Sequence, residues 1–338
     1  RQGCSRCGNC ISGCAQGAKN SLDKNYLHLA RQLGVQVISE ARVSHLSRKA
    51  ENYQVHLQRR GTGAVVLRAP QVILAAGVLG TLEILFASRD RYRTLPTLPT
   101  AIGQHVRTNS EAIVGILGKP GVDISAGTTI SSHFYPDANT HITQNRFPRS
   151  YAFMRWYMGP LVDDPQPLRR AAKVLLRLLG QPWTTVRRWG ARQWQQRISV
   201  LTVMQQADNE LAFDYQRRFW RFGGFGLDSR LAVGAASPTY LPQANAAARA
   251  FARVSGGDGL NVLAESLGNR AVTAHLLGGA VIAASPEAGV IDTRHQVFGH
   301  AGLFVIDGSS IPANVGVNPS LTITALAERA ISLWPVRG

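Results

Sequence analysis

Cysteine is missing from the chain after residue 14: Cys4, Cys7, Cys10 and Cys14 are its only four in 338 residues. A disulfide framework across the fold is therefore excluded, and the core must be closed by packing. Acids are scarce too, 20 Asp and Glu against 37 Lys and Arg, for a formal net charge of +17. Such a balance favours acidic surfaces, nucleic acid and anionic lipid being the usual candidates. No nucleic-acid motif accompanies it, so the charge reads as solvated surface, with no nucleic-acid partner expected. No uninterrupted apolar run approaches the roughly 18 residues of a spanning helix, which excludes that class of membrane segment. The first residues, Arg1-Gln2-Gly3-Cys4, are neither an initiator methionine nor the start of a signal peptide and read as the middle of a protein.

What is present suits a globular protein of one large or two smaller domains, with 45% apolar and 17% charged residues. The cysteines follow the spacing Cys4-x2-Cys7-x2-Cys10-x3-Cys14, the run by which bacterial ferredoxins hold iron–sulfur clusters. Ala15 stands where proline usually follows, and no distant cysteine completes a second cluster. Metal ligands, or reduced thiols in a glycine-rich loop with at most a disulfide, are the two readings of this segment.

The densest chemistry lies between Thr273 and Trp334. His275 opens a glycine-flanked turn, Ala274-His275-Leu276-Leu277-Gly278-Gly279. An apolar strand, Leu303–Ile306, ends in Asp307-Gly308. Then Gly316-Val317-Asn318-Pro319 leads into an alanine-rich segment that reads as a mostly buried helix, with Asn318 as its N-cap and Pro319 at the first helical position. The free N–H groups and positive end of such a helix seat an anion or an electron-rich ring.

These residues resemble the C-terminal signature of the glucose–methanol–choline (GMC) flavoprotein oxidoreductases, most closely the cholesterol-oxidase branch. The resemblance covers roughly residues 15–110 and 260–335. It implies His275 and Asn318 as the catalytic pair over a flavin ring. Ala280 stands where the family often has cysteine. The resemblance also implies FAD as cofactor, with Val43, Ala76, Gly77, Asp307, Gly308, Asn318, Pro319 and Thr322 beside it. A glutamate of the cholesterol-oxidase branch that assists the base has no counterpart by motif here.

Along the chain, Asn20 or Ser21 is expected to cap a helix reaching Leu33, stopped by Gly34. Strands are expected at Val35–Ser39, Arg42–Leu46, Tyr53–Gln58 and Val65–Ala69, the alternation of Tyr53, Val55 and Leu57 marking a half-exposed sheet. Val72–Ala76 reads as a buried parallel strand. Thr81 is expected to cap a helix over Leu82–Ser88.

From about 108 to 270 the pattern changes to short strands: Val114–Leu117, Thr128–Phe134, Ser199–Gln205 and Glu210–Tyr215, the last two joined at Ala207-Asp208-Asn209. A helix is expected over Leu241–Val254. His133 and His141 read as loop or sheet-surface histidines. Over Leu168–Arg197, eight Arg and Lys occur with no acid, among leucines and tryptophans. Such composition suits either a basic surface excursion or an interfacial helix pair on anionic lipid.

The fold expected is therefore mixed, α+β with α/β parts. A FAD-binding domain of the two-dinucleotide-binding type (15–107 and 288–338) carries an inserted antiparallel-sheet substrate domain (108–287), after a cysteine segment (1–14). The FAD domain is incomplete, because no Gly-x-Gly-x-x-Gly turn exists: Gly61-Thr62-Gly63 and Gly257-Asp258-Gly259 both fail to complete it. By the resemblance that turn precedes the cysteines, so a longer protein is expected. The function expected is oxidation of the CH–OH group of a hydrophobic alcohol, a sterol among the candidates, with oxygen or a redox carrier as acceptor. The alternative is an iron–sulfur electron-transfer protein centred on Cys4–Cys14. A cytoplasmic setting, peripheral at a membrane, accompanies the first reading.

Overall fold

In the computed structural model, which describes residues 2–207, 209–219, 223–234 and 237–334, the chain forms two compact units. One comprises Val37–Asn109, Asp208–Ala236 and Ala274–Gly338; the other Arg1–Gln36, Ser110–Ala207 and Ser237–Thr273.

In the first unit, Ala41–Lys49, Asn52–Arg59 and Gly63–Ala69 form the expected three-stranded antiparallel meander. Tyr53 and Leu57, four apart and so on one face of the strand, are both buried. Val72–Leu74 pairs in parallel with Leu303–Val305, so two segments far apart in sequence share one small sheet. The helix Gly77–Phe86 packs Val78, Leu82 and Leu85 into the same core. That helix starts five residues earlier than the sequence suggests. Thr81 lies inside it and caps nothing; its hydroxyl is used elsewhere.

Three further expectations for single elements need correction. No strand forms at Val35–Ser39. Val35 instead ends the short helix Tyr26–Gln32 of the other unit, its N–H donating to Ala30 O at 3.0 Å over Gly34 at φ +90°. Asn209–Arg217 pairs with Phe225–Gly234, not with Ile198–Gln205, and the two belong to separate sheets. The last helix, Ser320–Ser332, buries only Ala330, whereas Leu321 is 81% exposed.

The second unit is built on a six-stranded antiparallel sheet. Its order is Ile130–Asp137, Thr140–Asn145, Ile198–Gln205, Ala112–Leu117, Asp258–Val262 and Met158–Pro160. The helix Pro242–Ser255 lays Ala244 and Ala248 on its apolar face. Proline opens this helix and also Pro167–Gly180 and Pro182–Trp189, where its missing N–H costs no hydrogen bond. No helix among the described residues is long and apolar enough to cross a membrane.

Candidate active site

The turn that carries His275 is shaped by its two glycines. Gly278 has φ +80°, and a Cβ there would fall 2.0 Å from His105 O; at Gly279 it would meet a Leu82 methyl at 2.6 Å. Any side chain would push the turn outward. Backbone hydrogen bonds then fix it on both sides. Leu277 exchanges N–H···O bonds with Arg107 at 3.0 and 2.8 Å, and Gly103 N donates to Gly279 O at 2.7 Å. Gly278 N donates to Gly308 O and Ala280 N to Ser309 O, each at 3.0 Å. Ala280 is fully buried, which suits the small side chain at this position.

Half-buried His275 meets Asn318, whose Nδ2 lies 3.2 Å from His275 Nε2. An amide N–H can only donate, so the contact is a hydrogen bond in the tautomer that leaves Nε2 without a proton. The residues expected to form the catalytic pair are thus adjacent. Asn318 does not cap the following helix, however. Pro319 takes the capping position, and no side chain caps there. The asparagine is free of that duty and its amide is turned toward the histidine. Asn109, fully buried, donates through Nδ2 to Val317 O at 2.7 Å and so fixes the peptide immediately before Asn318.

Asp307 works through its side chain. Oδ2 accepts from Gly77 N at 3.0 Å and Thr81 Oγ1 at 2.6 Å, while Oδ1 accepts from Ser309 N and Oγ at 2.8 and 2.5 Å. The carboxylate therefore locks the end of one parallel strand to the start of the helix that follows the other. Beside it, Ala75, Ala76 and Gly77 form an exposed ledge of small residues at the carboxyl end of Val72–Leu74. Gly77 has φ +70° and open space where a Cβ would stand. Val43 packs against the core of this unit at a bulge in the meander. Pro319 and Gly308 are buried and Thr322 is half-buried. Thr81, Asn109 and Ser309 were invisible as functional positions in the sequence, since none belongs to a spaced motif.

The cysteines do not gather. All four thiols are free, and among the described residues no three His, Cys, Asp or Glu side chains are placed to hold a metal ion. This arrangement lends no support to the expected ligand set Cys4, Cys7, Cys10 and Cys14. Cys14 Sγ instead accepts from Ala18 N at 3.2 Å, a local turn. His141 also departs from expectation: it is buried in the hairpin beside His133, with ring centroids 5.3 Å apart.

In the sheet unit, Arg170 is 1% exposed and donates to Asp164 O, Thr239 Oγ1 and Asn269 Oδ1. Nearby Glu265 is also buried, and burial pushes its pKa up to about 8, with Glu111 adding to the rise.

Models of the GMC oxidoreductase family match residues 1–89 and 229–327, together more than half of the chain. The cholesterol oxidase of Mycobacterium tuberculosis (strain CDC 1551 / Oshkosh) is 39% identical over 353 residues, which take in all of this chain and 60% of that protein. The cholesterol oxidase of Acinetobacter baumannii is 38% identical, with 99% of this chain and 61% of that protein aligned. The chain thus spans about 60% of the length of these curated relatives. Among solved structures, pyridoxine 4-oxidase from Mesorbium loti superposes with a TM-score of 0.57 at 16% identity, over 87% of this chain and 57% of that one. That likeness concerns the fold. With both ends matched by the family models and its glycine turn, histidine and asparagine assembled as described, the chain belongs to the GMC oxidoreductase family.

Proposed function

We propose that this protein oxidises the CH–OH group of a hydrophobic alcohol with FAD as cofactor. The observation that carries the reading is the 3.2 Å contact between Asn318 Nδ2 and His275 Nε2 on a turn stitched at both sides. With the substrate hydroxyl seated between the two side chains in place of their direct contact, His275 Nε2 accepts the hydroxyl proton as the C–H bond breaks. Asn318 donates to the same region and holds the oxygen in line. FAD supplies the hydride acceptor when bound. The exposed Ala75–Gly77 ledge and the conformation of Gly77 suit the close approach of a flat ring system. Val43, Ala76, Gly77, Asp307, Gly308, Asn318, Pro319 and Thr322 would hold the cofactor, Asp307 and Gly308 through backbone because the carboxylate is fully engaged. Sterols are the first substrate class to test, given that two relatives are cholesterol oxidases. Flavin reduction by a panel of alcohols and sterols, followed by rapid mixing, tests the reading, with oxygen or a dye as acceptor for turnover. Absence of reduction by every alcohol would sink it.

For partners we propose peripheral contact with an anionic membrane. The helices Pro167–Gly180 and Pro182–Trp189 bury only Arg170 and Val174, and they expose Leu168, Leu176, Leu179 and Trp183 among arginines. Leucine and tryptophan beside cations match an interfacial helix pair. Co-sedimentation with acidic and neutral vesicles decides it; equal binding to both removes the electrostatic part.

A further inference from the structure

Five basic side chains line one open cavity of about 830 Å³ in the sheet unit: Lys119, Arg187, Arg188, Arg192 and Arg197. Its walls include the backbone of Gly118, Gly256 and Gly257. Among the described residues Asp258 is the one carboxylate lining it, and it is taken by Arg188, 3.3 Å away. Arg197 is also engaged, donating through Nε and Nη2 to Gly118 O at 3.0 and 2.8 Å. Lys119, Arg187 and Arg192 are exposed and have no acceptor among the described residues. The Lys119 side chain lies along Gly256, where a Cβ would come within 2.7 Å of its ammonium. Gly256 sits at φ +61° and leaves room for it. Trp183, 84% exposed, also lines it.

We propose that this cavity binds a phosphate monoester, with Lys119, Arg187 and Arg192 as its ligands. Three unengaged cations around one space repel each other, and a dianion relieves that repulsion better than a singly charged diester. Guanidinium forks match phosphate oxygens in geometry as well as charge. The volume leaves room for the organic part of the ester beside its phosphate. The ester comes from a lipid headgroup or from a soluble metabolite. The inference extends the membrane contact proposed above and is independent of the flavin chemistry.

The test uses the holoenzyme and a Lys119→Gln/Arg187→Gln/Arg192→Gln variant. A second variant, Arg59→Gln/Arg60→Gln/Arg68→Gln, removes three cations from the meander instead. The probes are glycerol 3-phosphate by calorimetry, and phosphatidylcholine vesicles alone, with phosphatidic acid or with phosphatidylglycerol by sedimentation. Monoester binding should weaken about tenfold or more in the cavity variant. It should persist in the meander variant and in Lys119→Arg/Arg187→Lys/Arg192→Lys. Binding to phosphatidic acid alone assigns a lipid headgroup; binding to glycerol 3-phosphate assigns a soluble ester. Equal affinity for phosphatidylglycerol, equal losses in the two charge variants, or no binding to either monoester overturns the proposal. Flavin reduction by a soluble alcohol should be unchanged in the cavity variant, which separates this test from that of the chemistry.

Discussion

Asn109 donates to the carbonyl of Val317 at 2.7 Å, so a buried amide 208 residues upstream in the chain sets the peptide that carries Asn318. Asn109→Ala leaves that carbonyl without its partner, at a cost of about 1–3 kcal/mol. The melting temperature should fall, and flavin reduction should slow with cofactor still bound. A thermal shift with normal reduction kinetics would make the bond structural only.

His275→Ala should retain cofactor and lower the rate of flavin reduction by roughly 10²–10⁴. Asn318→Ala should slow the same step with little thermal effect, because Pro319 rather than Asn318 occupies the cap position. A melting temperature lowered as for a lost cap, with kinetics intact, would contradict the geometry.

Asp307→Ala strands Gly77 N–H and the Thr81 hydroxyl, both of which point at Oδ2. Hydrogen bonds to a charged group contribute about 1.5–3 kcal/mol each, so chemical denaturation should show a loss on that order. Thr81→Val should reproduce part of it. Unchanged stability in both variants would show that the carboxylate links nothing.

The two units should respond to pH in opposite directions. Glu265, raised to about 8 by burial from a usual 4.5, favours the protonated folded form. Its contribution is complete below about 4.5 and is lost as pH rises through about 8. His45 is pushed down to about 4 from 6.5 by burial, then by His56 and Arg91. Its contribution is present above 6.5 and is lost as pH falls through about 4. Glu265→Gln should flatten the alkaline side of the stability profile and leave the acid side alone. A profile unaffected by this change would show that Glu265 titrates normally.

Much of this was legible in the residues. Alternating Tyr53, Val55 and Leu57 can bury one face only as a strand, and the meander follows. Pro242 marks a helix start because a first-turn N–H has no helical partner to lose. Gly278-Gly279 signals a turn that no side chain could enter, and its histidine and the Asn318-Pro319 pair could be picked out in advance. Other features depended on partners far away in the chain. Val35–Ser39 has strand composition but pairs with no strand among the described residues. Glu210–Tyr215 follows Ser199–Gln205 closely yet pairs with Phe225–Gly234, since register is set by the facing strand and not by proximity in sequence. Thr81 has a capping residue's identity, but its hydroxyl is claimed by Asp307, 226 residues on. The ferredoxin-like spacing of the cysteines records only intervals, and the folded loop does not converge three of them on one point. Local periodicity and stereochemistry were thus determined by the sequence itself. Which groups meet, and so which of the plausible ligands and caps act as such, was decided by tertiary structure, because hydrogen bonds and burial are properties of pairs.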